Sequence, residues 1–183
     1  MKMMKRLLII ALIFFGASSV MAQDVVLLNF SSLERKLEKS NEDIKHERKG
    51  QKARTWYKRG ELMQDIYNID LEYLREGTGK NELLIYYKEP KTTRTEEIAG
   101  AAVEILEYDR IDYYMVNNAL QRWVRKEILT EDPLMKAHEA FLKTLELDEK
   151  GRYEDRVKDQ LQQLKTQFMQ EGINAYYNGN SER

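Results

Sequence analysis

The sequence predicts an α+β chain that is mostly α, with one helix and a three-stranded antiparallel meander set between helical segments. Three observations predict it. Apolar residues recur at three-and-four spacing over residues 51–69 and again over 133–177. Between these stretches, residues 101–126 fall into short runs rich in Val, Ile, Tyr and Trp. Those runs are separated by turn pairs, Asp109-Arg110 and Asn117-Asn118, and not by helix caps.

At the N-terminus, Lys2, Lys5 and Arg6 precede the uninterrupted apolar run Leu7–Phe15, and Gly16–Ala22 are mostly small. Val20 and Ala22 stand where a signal peptidase requires small side chains, so residues 1–22 read as a signal peptide cleaved before Gln23. The competing reading, an uncleaved anchor, needs a run of about 20 apolar residues, and this one is shorter. No Cys follows the run, so a lipid-modified Cys is not available. The expected location is periplasmic or secreted, with no membrane span after cleavage.

Cleavage would take three cations with it, leaving 27 Lys and Arg against 31 acids. A third of the chain is charged, and no basic patch stands out along the sequence. That argues against nucleic acid and against an anionic membrane, both of which need concentrated Lys and Arg. With no Cys there is no disulfide framework, no thiolate nucleophile and no Cys-ligated metal, so an exported chain would rely on its packed core.

Residues 23–76 read as N-terminal helices. Ser31 and Ser32 can cap a start near residue 30, with Leu33 and Leu37 on one face. The polar stretch 40–50 breaks or bends the run. From 51 the pattern resumes with Ala53, Trp56, Tyr57, Gly60, Met63, Ile66, Tyr67 and Ile69, and Gly77-Thr78-Gly79 ends it. Residues 77–127 form a separate unit. It holds a short helix over 80–88, closed by Pro90, and strands over 101–108, 110–116 and 119–126. Residues 128–183 return to helix. Ala137, Ala140, Phe141, Thr144, Leu145 and Leu147 make one stripe. In a long last segment, Val157, Leu161, Leu164, Phe168 and Ile173 are expected to face inward.

The helical parts resemble tetratricopeptide repeats, whose helix pairs follow W-x2-L-G-x2-Y and then A-x3-F. Trp56, Gly60 and Met63 stand at the spacing of a first helix, and Ala137 and Phe141 at that of a second. Arg59, Met63 and Glu149 depart from the pattern's Leu, Tyr and closing Pro. In such a repeat the Ala follows the Trp by about 16 residues. Here the interval from Trp56 to Ala137 is longer by the length of the α+β segment, so the resemblance implies that this unit is inserted between the two helices of one repeat. Phe168, Gly172 and Tyr176 resemble another first helix, after which the repeat is incomplete. Either the chain stops inside a longer array or this helix serves as a cap. An uncovered apolar face favours the first, and self-association through the last helix is a further expectation.

Residues 77–127 also resemble the SmpA/OmlA-like domain of small outer-membrane assembly lipoproteins. Gly77, Glu82, Leu83, Tyr86, Tyr87 and Pro90 fit G-M-[ST]-x-x-[EQ]-V-x-x-L-L-G-x-P, and Tyr108, Tyr114 and Trp123 stand where that family's strand aromatics fall. Thr78, Gly79 and Lys88 depart from it. The resemblance implies a protein-contacting module of the cell envelope and carries no catalytic residues.

No catalytic, cofactor or metal site is read from the sequence. Gly77-Thr78-Gly79-Lys80 mimics a phosphate loop, but Leu74 and Asn81 stand where Gly and Ser or Thr are needed. His46 and His138 have no partner at ligand spacing. Glu96, Glu97, Glu104, Glu107, Asp109 and Asp112 read as a solvated rim, the alternative being acid–base carboxylates split by burial. Successive strand residues face opposite sides, so Tyr113 and Tyr114 cannot share one core. Tyr86, Tyr113, Tyr114 and Trp123 are therefore candidate interface aromatics, or else pack the sheet between its own helix and the repeat helices. The expected function is a non-enzymatic protein-interaction or assembly protein. The alternatives are an inhibitor or ligand-binding module working through the sheet, and a hydrolase using the acidic cluster.

Overall fold

The computed structural model describes residues 27–180, and the expected signal peptide lies outside them. Its described elements are five helices and a four-stranded antiparallel sheet, mostly helical overall. In chain order they are α1 (Phe30–Lys45), α2 (Ala53–Asn68), α3 (Lys80–Tyr87), β1 (Thr92–Ile98), β2 (Ala101–Glu107), β3 (Ile111–Val116), β4 (Ala119–Arg125), α4 (Pro133–Leu147) and α5 (Glu154–Asn180). None of the described helices is long and apolar enough to cross a membrane.

The caps explain most of the boundaries. Asn29, and not Ser31 or Ser32, caps α1, its side chain accepting from the Ser32 amide at 2.9 Å. Helix α2 stops at Asn68, earlier than the expected Gly77. Asp70 and Tyr73 take left-handed backbone in the irregular stretch that follows. Pro133 opens α4, where its missing N–H costs nothing. Asn117 and Asn118 both have positive φ, as the two-residue turn between β3 and β4 requires, and Ala99-Gly100 makes the matching turn between β1 and β2.

The expected meander has one more strand. The order is β1-β2-β3-β4, and β1 is an exposed edge whose Thr, Arg and Glu side chains carry no apolar alternation. One face of the sheet presents Leu106, Ile111, Tyr113, Met115, Leu120 and Trp123 to the core, where they meet Leu83 of α3 and residues of the helices. The opposite face carries a row across all four strands, Arg94, Ile105, Tyr114 and Arg122. Arg122 lies over the Tyr114 ring at 3.5 Å.

Two devices cover the outer edge of β4. Residues 77–80 run along its beginning: Gly77 N donates to Leu120 O, Leu120 N to Thr78 O, and Lys80 N to Asn118 O. Further on, Asn174 of α5 accepts from the Trp123 amide at 2.8 Å, and Asn178 donates to the Trp123 carbonyl at 3.3 Å. Buried backbone groups find partners in this way without another strand.

Helices α2 and α4 pack against each other although the whole sheet unit lies between them in sequence. Gly60 makes this possible. A Cβ at residue 60 would lie 2.6 Å from two atoms of the Phe141 ring, so only hydrogen fits. Met63, Ala137 and Phe141 are fully buried along the same seam, and the Tyr57 ring packs tilted against those of Phe141 and Tyr153.

Candidate interaction surface

The last helix divides into two halves with different partners. Val157 and Leu164 bury into the core, and Leu161 packs against it. Beyond Leu164 the face turned to the protein is polar. Gln167 donates to Asn68 and accepts from Gln64, each at 3.0 Å, and Tyr67 donates to the Gln167 carbonyl. Asn174, 5% exposed, continues that face. The apolar residues consequently face out. Phe168 is 37% exposed, Met169 61%, Ile173 39% and Tyr176 66%, with exposed Gly172 among them and nothing within 4 Å of where its Cβ would stand. The expectation that Phe168 and Ile173 point inward is corrected here: hydrogen-bonding side chains, not apolar ones, carry the buried register.

A cleft of about 240 Å³ adjoins this surface. Ile66, Ile69, Leu134 and Tyr67 line it, and exposed Ile128, Met135 and Phe168 stand at its margin. On one wall Arg125 donates to the Tyr67 carbonyl at 2.7 Å, lies over the Tyr67 ring at 4.9 Å and reaches Glu171 at 3.6 Å. Burial, with Glu171 adding to it, pushes the Tyr67 hydroxyl well above the ordinary tyrosine range. Phe168 belongs to the cleft, and Met169, Gly172, Ile173 and Tyr176 line a shallow groove that Glu76 and Tyr177 complete.

The other residues singled out in the sequence separate into core and surface. Trp56 is half-buried and donates to the Gly50 carbonyl at 2.8 Å, which places it at the α1–α2 loop; its neighbour Tyr57 is the aromatic that reaches α4. Tyr113 and Trp123, 0% and 1% exposed, are core residues and so not part of a surface patch. Tyr114, on the opposite face, is half-buried beneath Arg122. Tyr86 stacks at 4.8 Å on exposed Tyr73.

Of the acidic residues singled out around the sheet, all but Glu97 are matched with cations among the described residues, including Glu96 with Arg94. Glu104 pairs with Lys80 at 2.6 Å, Glu107 with Arg94 at 2.5 Å, Asp112 with Lys126 at 2.8 Å, and Asp109 with Lys91. The Lys91 hydrogen bond holds the Asp109 carboxyl below the usual range. His46 accepts from the Arg48 amide, and among the described residues no group of three or more His, Cys, Asp or Glu could hold a metal.

No family model, no curated protein and no solved structure matches the chain.

Proposed function

We propose that this is an exported, non-enzymatic protein-interaction module of the cell envelope, acting through tetratricopeptide-like helices. On this reading α2 and α4 are the two helices of one repeat, the α3–sheet unit is inserted between them, and α5 is the first helix of the next.

One observation carries the reading, the match between α2 and α5. In α2 the glycine of the aromatic-x3-Gly spacing, Gly60, is covered by a second helix, with Phe141 seated on it, while Trp56 packs at the α1–α2 loop. In α5 the glycine of the same spacing, Gly172, has no cover among the described residues and lies with Met169, Ile173 and Tyr176 in a shallow groove, while Phe168 borders the adjoining cleft. A glycine in an exposed helix interior costs about 1 kcal/mol against alanine, so its place at the centre of an apolar stripe suits a surface that another helix approaches closely.

The test is light scattering over a concentration series, using the chain from Gln23 and its Met169→Glu/Tyr176→Glu variant. The unchanged chain is expected to associate increasingly with concentration, and the variant to stay monomeric. A monomer at every concentration in both would remove the support for α5 as a binding face.

A further inference from the structure

The groove between α1 and α2 assembles cations that the sequence keeps apart. Lys36 and Lys39 come from α1, and Arg54, Lys58 and Arg59 from α2. Along the sequence they are masked by Glu34, Glu38 and Glu42, which recur every four residues on α1 and lie outside the groove. The groove encloses about 470 Å³.

Arg59 is one of the residues that depart from the repeat pattern, standing where that pattern has Leu. It is half-buried, and Nη1 donates to Ser40 Oγ and Asn41 Oδ1, both at 3.0 Å. Those two bonds orient the guanidinium and tie α1 to α2. Desolvation lowers the Arg59 pKa, as burial of a cation without a counter-ion does. Lys36, Arg54, Lys58 and Arg59 form no salt bridge among the described residues, whereas Lys39 shares Asp43 with Lys49.

We infer that this groove binds an extended acidic segment of a protein partner, an inference that rests on the reading of the chain as a protein-interaction module. Charge complementarity selects the occupant: unpaired cations stand on both walls, and opposite charge on a partner both steers and registers its docking. The groove also contains Asp43, Glu61 and Asp65, so its five cations outnumber its three carboxylates. These carboxylates repel any anion, but a peptide backbone, unlike a polyphosphate, has N–H groups to donate to them. The stretch of α2 from Arg54 to Asp65 is about 16 Å long at the helical rise, the reach of about five residues of extended peptide.

The experiment is fluorescence anisotropy of labelled octaglutamate on the chain from Gln23 at low salt, with octaglutamine as the neutral probe and tripolyphosphate as competitor. Two variants carry the same charge change: Lys36→Glu/Lys58→Glu in the groove, and Lys158→Glu/Lys165→Glu on exposed α5 positions. All four positions are exposed lysines without salt bridges, and circular dichroism checks that both variants fold. Octaglutamate is expected to bind and octaglutamine not. The groove reversal should weaken binding by about tenfold or more, and the α5 reversal by much less, since only the first places like charge against the peptide. Equal losses in the two variants, tighter binding of tripolyphosphate than of octaglutamate, or no binding of octaglutamate would each overturn the inference. The light-scattering test concerns a different surface, so the groove can fail while the α5 reading stands, and the reverse.

Discussion

Gly60 and Gly172 show how one residue type serves opposite purposes in two helices. At Gly60 the space is taken by the Phe141 ring, and Phe141 is fully buried and cannot yield freely. Gly60→Ala gains about 1 kcal/mol of helix propensity but must displace that ring, and overpacking of this kind costs about 1–3 kcal/mol. The net expectation is a loss. Gly172 has open space above it, so Gly172→Ala should stabilise the chain by about 0.5–1 kcal/mol. Urea midpoints of the two variants decide the matter, and equal stabilisation by both would contradict the close α2–α4 contact. The same logic separates Tyr113 from Tyr114. Strand alternation required them to part, but their sequence neighbourhood is too similar to say which one goes in. The register places Tyr113 opposite Leu106 and Trp123 on the core face.

At the scale of elements, β4 pairs with β3 on one side, and beyond its first residues its outer edge is held by α5 and not by another strand. Asn174 is 5% exposed and accepts from the Trp123 amide, which has no strand partner on that side. Asn174→Leu keeps the volume and removes the acceptor. Leaving a buried N–H unpaired should cost about 1–3 kcal/mol and speed amide exchange at Trp123. Unchanged exchange at that amide would mean the edge is not held by this bond. How legible each element was follows from the same physics. Strands β2, β3 and β4 were readable because each has a buried face and ends at a turn pair. Strand β1 was not, because an edge strand open to solvent on both faces needs no apolar alternation, and Thr92–Ile98 has none. The apolar periodicity of α5 was real but misassigned, since Gln167 and Asn174 took the buried positions and sent Phe168 and Ile173 outward. The α1–α2 groove was invisible for a related reason. Its cations become neighbours only when two helices pack, and no one-dimensional count reveals that.

At the scale of the molecule, the sheet unit is joined to the helices by polar bonds around Asp70 and Glu72 and by buried tyrosines. Arg110 holds Asp70 with two bonds, at 2.9 and 2.5 Å, and Tyr113 donates to the Asp70 carbonyl. Tyr87 donates to the Glu72 carbonyl at 2.9 Å, and the rings of Tyr87 and Tyr108 both lie within 6 Å of Tyr113. Burial raises the pKa of each of these hydroxyls, Tyr108 to about 12 and Tyr87 and Tyr113 further. An unfolded tyrosine ionises near pH 10. Below that pH both states keep the proton and the stabilisation is fully present. As pH rises past about 10 the unfolded chain releases protons that the folded chain retains, so stability falls, and it continues to fall up to the folded values. The loss should take the sheet and helices together, because these tyrosines join them. Tyrosinate absorbance and far-ultraviolet circular dichroism, followed upward from pH 8, test this in one titration. A portion of the tyrosinate signal is expected to appear only as the dichroism is lost, in one shared transition. Complete ionisation with the dichroism intact would mean that these hydroxyls are reached by solvent in the folded chain and do not join the sheet unit to the helices.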